Sequence, residues 1–148
     1  MDALVLNASE GRAVPVGPVR MLVKEDGTRT RGTLGIAESE VLPNVPTPPP
    51  HIHHAHEEGF YVLEGELVFT VGAETIRAGK GTLVIVPIGV PHTFSNPGKE
   101  TVRFLTMFTP PQYLTYFEEM SNLFRAGTPD ATQLRELMAH YDTEVVGQ

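Results

Sequence analysis

The stretch 51-HIHHAHEE-58 holds four of the chain's six histidines and ends in two carboxylates. The proline-rich run NVPTPPP (44–50) leads into it. On a β-strand, residues two apart point to the same face. His51 and His53 therefore leave a strand together, while Ile52 points the other way. Add one acid a few residues on and one imidazole from a neighbouring strand, and the donor set is three nitrogens and one oxygen. That set suits one divalent transition ion per chain (Fe, Mn, Ni, Cu or Zn) with positions left open for water or substrate. The competing reading is a polar strand whose histidines only touch solvent. The run before it is expected to be a stiff polyproline II connector.

Working outward, the whole chain has 148 residues, enough for one domain with its own core. Hydrophobic residues make up 41% and charged residues 20%, the balance of a globular protein. The formal net charge is −7, which disfavours nucleic acid and anionic membrane surfaces as partners. No apolar run reaches the length of a membrane span. The start MDALVLNASEGR lacks the basic opening of a secretory signal, so a cytoplasmic location is expected. There is no cysteine, so thiolate metal sites are excluded.

Glycine and proline punctuate short runs of Val, Leu, Ile, Phe and Thr, the pattern of many short strands joined by turns. Strands are predicted over 19–25, 30–41, 52–55, 59–72 with a turn at Glu64-Gly65, 74–78, 82–87, 91–95 and 100–109. Asp26-Gly27 predicts a hairpin turn between the first two. Such a set reads as an all-β jelly-roll sandwich or barrel. The last third is different. Tyr113, Leu114, Phe117, Met120 and Phe124 recur at helical spacing. A second helix is predicted from Thr128 as N-cap and Pro129 at the first turn, with Leu134, Leu137, Met138 and Tyr141 on one face. The expected organisation is one domain over 1–148, with a barrel core at about 30–109 and C-terminal α-helices over 111–146.

A second stretch, 81-GTLVIVPIGVPHTFSN-96, carries one more histidine, His92. The two stretches resemble the paired signature motifs of the cupin superfamily. The first motif runs H-x-H, three or four residues, E, six residues, G. Taking Glu58 as the acid puts the glycine at Gly65, whereas Glu57 would put Glu64 there. In the second motif Gly81, Pro87, Gly89, His92 and Asn96 fill every fixed position. One departure stands: Val45 occupies the place where the family usually has a glycine before the first histidine. The resemblance implies a cupin-type jelly-roll β-barrel holding one metal on His51, His53, Glu58 and His92. It is similar to small single-domain bacterial cupins of the quercetin-dioxygenase type. His54 and His56 are expected to face solvent, and His140 to lie on the surface.

The wall of such a barrel decides the guest. Strand phase turns Phe60 and Phe94 inward, with Val62 beyond. The last strand adds either Phe104 and Phe108 or Leu105 and Met107; its phase is open. Phe117 would join them if the first helix packs by the barrel mouth rather than on the outer sheet. The candidate pocket is thus Phe60, Val62, Phe94, Phe104, Met107 and Phe117, suited to an apolar or aromatic small molecule. The expected activity is that of a metal-dependent dioxygenase, with Glu58 also able to accept a proton. A metal-dependent isomerase or cyclase, or a small-molecule-binding protein without turnover, are the alternatives. A homodimer is expected, in which the strand over 19–25 covers an exposed sheet edge, the alternative being cover from within the chain.

Overall fold

Burial alternates along the strands, and this alternation decides which way each side chain turns. In the strand Val102–Thr109 every second residue is buried: Val102, Phe104, Thr106 and Phe108. The same alternation runs through Gly35–Val41 beside it. These inward rows meet those of a second sheet and form the barrel core.

The computed structural model describes residues 2–147. In chain order the strands are β1 Arg12–Val16, β2 Val19–Asp26, β3 Gly35–Val41, β4 His51–His53 and β5 Glu57–Glu64. Then come β6 Leu67–Val71, β7 Glu74–Ala78, β8 Leu83–Val86, β9 His92–Ser95 and β10 Val102–Thr109. Two helices, α1 Tyr113–Arg125 and α2 Ala131–Ala139, precede a last strand, β11 Thr143–Val145. One sheet has the order β1-β2-β3-β10-β5-β8 and the other β11-β4-β9-β6-β7. Every strand pair is antiparallel, as in a jelly roll.

Several expectations are corrected. Asp26-Gly27 does not make a tight hairpin. The buried Glu25 carboxylate accepts hydrogen bonds from the Gly27 and Arg29 amides at 2.6 and 3.2 Å and folds a longer loop. Strand β3 therefore starts at Gly35, not at residue 30. β2 has no side left to cover another sheet's edge, because β1 and β3 pair on its two sides within the same chain. α2 is capped by Asp130 rather than Thr128. The Asp130 side chain accepts from the Gln133 amide at 2.8 Å, and the Gln133 side chain accepts from the Asp130 amide at 2.9 Å. This reciprocal capping box is a stronger stop than a lone Thr. α2 ends at Ala139, and the β-branched Thr143 and Val145 go to a strand that pairs with β4.

Gly65 has φ +81° in the turn between β5 and β6. A Cβ there would meet Val102 at 2.9 Å, so both conformation and space favour glycine. α1 docks on the β1–β2 turn, where a Cβ on Gly17 would strike the Phe124 ring at 2.6 Å. Among the described residues, no helix is long and apolar enough to cross a membrane.

Candidate metal centre

Strand β4 delivers His51 and His53 to the inner face, as their spacing predicts, and both are buried. His92 opens β9 directly opposite His51. Glu58 comes from β5 in the other sheet and is buried, while Glu57 is exposed. The ligand atoms of His51, His53, Glu58 and His92 all lie within 4.8 Å of one another. His53 Nε2 and His92 Nε2 stand 2.8 and 3.2 Å from the same Glu58 oxygen. For ligands about 2.1 Å from an ion, neighbouring octahedral positions are about 3 Å apart. The observed separations fit that spacing.

The outer nitrogens strengthen the fit. A carbonyl oxygen can only accept, so the Nδ1 of His51 carries a proton and donates to Pro49 O at 2.7 Å. The Nδ1 of His92 donates likewise to Val90 O at 3.0 Å. The Nδ1 of His53 lies 2.9 Å from the hydroxyl oxygen of Thr143. A neutral histidine protonated on Nδ1 leaves an Nε2 lone pair, the form a metal requires; facing the Glu58 carboxylate instead, the Nε2 atoms of His53 and His92 serve as donors.

The electrostatics follow from burial and crowding. Burial, then the neighbouring His92 and His53, depress His51 to about 4, so it is neutral at pH 7. Burial would raise the Glu58 carboxyl, but hydrogen bonds from His53 and His92 outweigh it and hold the group below the usual carboxylate range. Burial would lower His92, but its hydrogen bond and attraction to Glu58 raise it. The centre is one carboxylate facing three imidazoles, a donor set of one oxygen and three nitrogens.

One cavity of about 450 Å³ joins His51, Glu58 and His92 to the far side of the barrel. Its wall includes Phe60, Phe94, Phe104 and Phe117, all four predicted from the sequence. Two predicted residues are not on it. Val62 is fully buried in a cluster with Leu67, Phe69 and Val102. Met107 projects from the outer face of β10, where its side chain packs over Gly59 beside Ile85. The alternation of β10 settles this, since Phe104, Thr106 and Phe108 take the inner face.

α1 runs along the cavity and contributes Tyr113, Tyr116, Phe117, Met120 and Phe124 to its wall. Of the two placements left open by the sequence, the helix takes the one beside the cavity. Tyr113 and Tyr116 stack at 4.4 Å. Burial, then the charge of neighbouring groups, raises Tyr113 well above the ordinary phenol value. Burial raises Tyr116 too, so both phenols stay protonated. Tyr116 was legible only as a further aromatic one helical turn from Tyr113.

His54 is exposed and pairs with Glu144 at 3.0 Å, and His140 is exposed. His56 is not solvent-facing. It is 4% exposed, its ring tilted against those of His53 and Tyr113 at 4.1 and 4.7 Å. Its Nε2 has no hydrogen-bond partner. The chain bends at residues 54–55, so strand alternation does not carry through to His56. Asn96 ties the loop after β9: its amide donates to Val41 O and Glu100 O at 3.0 and 2.8 Å. The unusual Val45 packs against the far apolar cluster, and Asn44 before it takes the positive φ of +56°.

The profile of a family described as "Cupin domain" matches residues 37–108, the segment that contains all four donors. The match spans just under half of the chain, and together with the jelly-roll sheets it makes this segment similar to a cupin domain. An uncharacterised protein of Streptomyces coelicolor is 41% identical over 59 residues, 40% of this chain and 55% of that protein. The match thus spans about half of that relative's length. A predicted oxalate decarboxylase from Thermotoga maritima shares the fold with a TM-score of 0.64 at 21% identity, covering 72% of this chain and 98% of that one. The polyketide cyclase RemF of Streptomyces resistomycificus does so with a TM-score of 0.60 at 23% identity, covering 78% and 96%.

Proposed function

We propose that His51, His53, Glu58 and His92 hold one divalent transition ion and that the chain is a metal-dependent dioxygenase of the quercetin 2,3-dioxygenase kind, acting on an apolar aromatic or enolic small molecule. The observation that carries the substrate class is the cavity wall. Phe, Tyr, Met and Pro dominate it, and among the described residues no Lys or Arg lines it. A dianion such as oxalate would find no side-chain cation there, and burying an unpaired charge is costly. A planar, largely uncharged guest would find aromatic faces on two sides. The volume of about 450 Å³ is that of an ordinary small-molecule pocket.

A bound ion would polarise a substrate oxygen and hold it in place. The chain's own residues do the rest. Phe60, Phe94 and Phe104 hold the apolar body of the guest, and Phe117 closes over it from α1. Glu58 would accept a proton from the substrate hydroxyl once it loosens from the ion. The reading also includes a homodimer. Its candidate surface is the edge strand β8, where Leu83 and Ile85 are each 55% exposed, and light scattering at micromolar concentration decides it.

A second reading, a metal-dependent cyclase or isomerase, is favoured by Tyr113 and Tyr116. Two phenols that burial keeps protonated beside the carboxylate can donate hydrogen bonds to a substrate oxygen and polarise it, which needs no molecular oxygen. One experiment separates the readings: a flavonol and polyketide panel incubated with metal-loaded protein under ¹⁸O₂ and without oxygen. Both labelled atoms in the product establish dioxygenation. Product formed without oxygen overturns it in favour of the second reading. Ligand-induced thermal stabilisation with no product in either atmosphere leaves only a binding function.

A further inference from the structure

Thr143 stands in β11 directly opposite His53 of β4. It is 3% exposed. Its hydroxyl donates to Tyr141 O at 3.1 Å, which commits its only proton. The remaining lone pairs therefore face His53 Nδ1, 2.9 Å away. His51 and His92 have their outer nitrogens fixed by backbone carbonyls two residues earlier in the chain, Pro49 and Val90. His53 is the exception. Its partner is a side chain 90 residues away, carried on the C-terminal strand.

The strand pairing makes that partner matter more. β4 meets β9 at one register pair, His51 with His92. It meets β11 at three: Thr143 with His53, Glu144 with Ile52, and Val145 with His51. Two flanking backbone bonds extend the seam, His54 N to Asp142 O at 2.8 Å and Val146 N to Pro50 O at 2.9 Å. The faces of the His53 ring are already taken, by the His56 ring at 4.1 Å and by the Tyr113 ring edge-on at 4.6 Å. Those contacts limit where the ring can sit. Two hydrogen bonds fix the rotation of the ring about its Cβ–Cγ bond, Nε2 with Glu58 at 2.8 Å and Nδ1 with the Thr143 hydroxyl at 2.9 Å, and with Nε2 given to an ion the hydroxyl alone would hold the outer nitrogen.

We propose that Thr143 is a positioning residue for the metal centre: it holds His53 as the Nδ1–H tautomer and aims Nε2 at the ion, so that the C-terminal strand sets the affinity for a divalent transition ion. This rests on the reading of the four converging donors as a metal site. Outer partners of metal-bound histidines typically change metal affinity by about 10- to 100-fold when lost. Thr143→Val keeps the shape and the strand preference but cannot accept a hydrogen bond. Thr143→Ser keeps the hydroxyl and drops the methyl group.

The test uses the full chain stripped of metal and titrated with Co(II) against a competing chelator, with circular dichroism as the check on folding. The expected result is about 10- to 100-fold weaker Co(II) binding for Thr143→Val, with a changed Co(II) visible spectrum, and recovery to within about 3-fold of the parent for Thr143→Ser. Thr143→Val binding as tightly as the parent overturns the inference. So does Thr143→Ser binding as weakly as Thr143→Val, because the methyl group would then be what matters. If Thr143→Val does not fold, Thr143→Ala replaces it in the same comparison. His92→Ala is the control that separates the two failures. A parent that binds Co(II) no better than His92→Ala overturns the metal reading itself, and this inference with it.

Discussion

The two ends of the barrel are packed from different materials. The buried core of the far end is built from strand residues such as Val41, Val62, Leu67, Phe69, Val86 and Val102, with the loop residues Val45 and Val90 packed against it. Of these six strand residues all but Val86 are at most 1% exposed, and each belongs to an alternating strand. The near end mixes strand residues such as Met21 and Phe108 with Tyr113, Leu114, Met120 and Met138 from the helices. The cavity lies between the two clusters and draws its wall from both. Rigid, branched side chains make the closed end. Methionines and phenols, which are unbranched or carry a polar tip, make the end where something must enter. A jelly roll that buries one end with strands is free to finish the other with whatever follows its last strand.

Four substitutions in the two regions and one at the seam break or sharpen that contrast. The largest effect is expected at the centre. His92→Ala should abolish metal binding in an equilibrium dialysis assay while the far-ultraviolet circular dichroism keeps its strand signal, because the far cluster does not depend on His92. Unfolding of this variant would show that the two ends are one cooperative unit sustained by the site. Next comes Phe69→Ala, at a fully buried ring packed edge-on against Phe60. It should cost about 3–5 kcal/mol in denaturant unfolding and leave metal affinity unchanged in the folded fraction.

Phe117→Ala probes the other end. The ring is only partly buried, so about 1–2 kcal/mol of stability should go, together with ligand affinity. A lowered melting temperature with unchanged ligand affinity would make α1 purely structural.

His56→Phe sits at the seam and has a sign that can be worked out. Burial, then the charge of His53, depress His56 from 6.5 to about 4. The fold therefore favours its neutral form, and the contribution is complete above pH 6.5 and lost as pH falls towards 4. Metal-free His56→Phe should unfold at a lower pH than the metal-free parent. His51 and His92 are present in both, so the difference reports His56. At neutral pH the variant should be about 1 kcal/mol more stable, since it removes a buried nitrogen that has no partner. Equal acid midpoints would refute this account of the ring. The smallest effect is Asp130→Ala, which removes the α2 cap and should cost about 1 kcal/mol by thermal melting.

How legible all this was in the sequence depends on the range of the interaction. The donors could be named because two short-range rules agree, the period of a strand and the spacing of the paired motifs. The choice of Glu58 over Glu57 came from one glycine, and Gly65 does take positive φ. The strand over 74–78 could be bounded because its flanks are turns. Readings failed where a distant segment decides. Thr143 looks like the tail of a helix until β4 supplies its pairing partner. His56 looks like a solvent-facing neighbour of His53 until the bend at residues 54–55 breaks the alternation. Met107 and Phe104 compete for the same wall until the register of β10 against β5 is known. Phe60 and Val62 share a face of β5, yet depth along the barrel separates them, and period alone does not encode depth.

The pairing of β4 with β11 also has a meaning in time. His53 and Thr143 are 90 residues apart, and a ribosome adds about 5–20 residues per second. A nascent chain therefore exposes the His51–His53 strand for about 5–18 seconds before its outer neighbour exists. Once β9 has been made, it is the strand's one sheet neighbour among the described residues until β11 follows, through a single register pair. The strand that carries half of the candidate donors is thus secured on both sides only after β11 has been made.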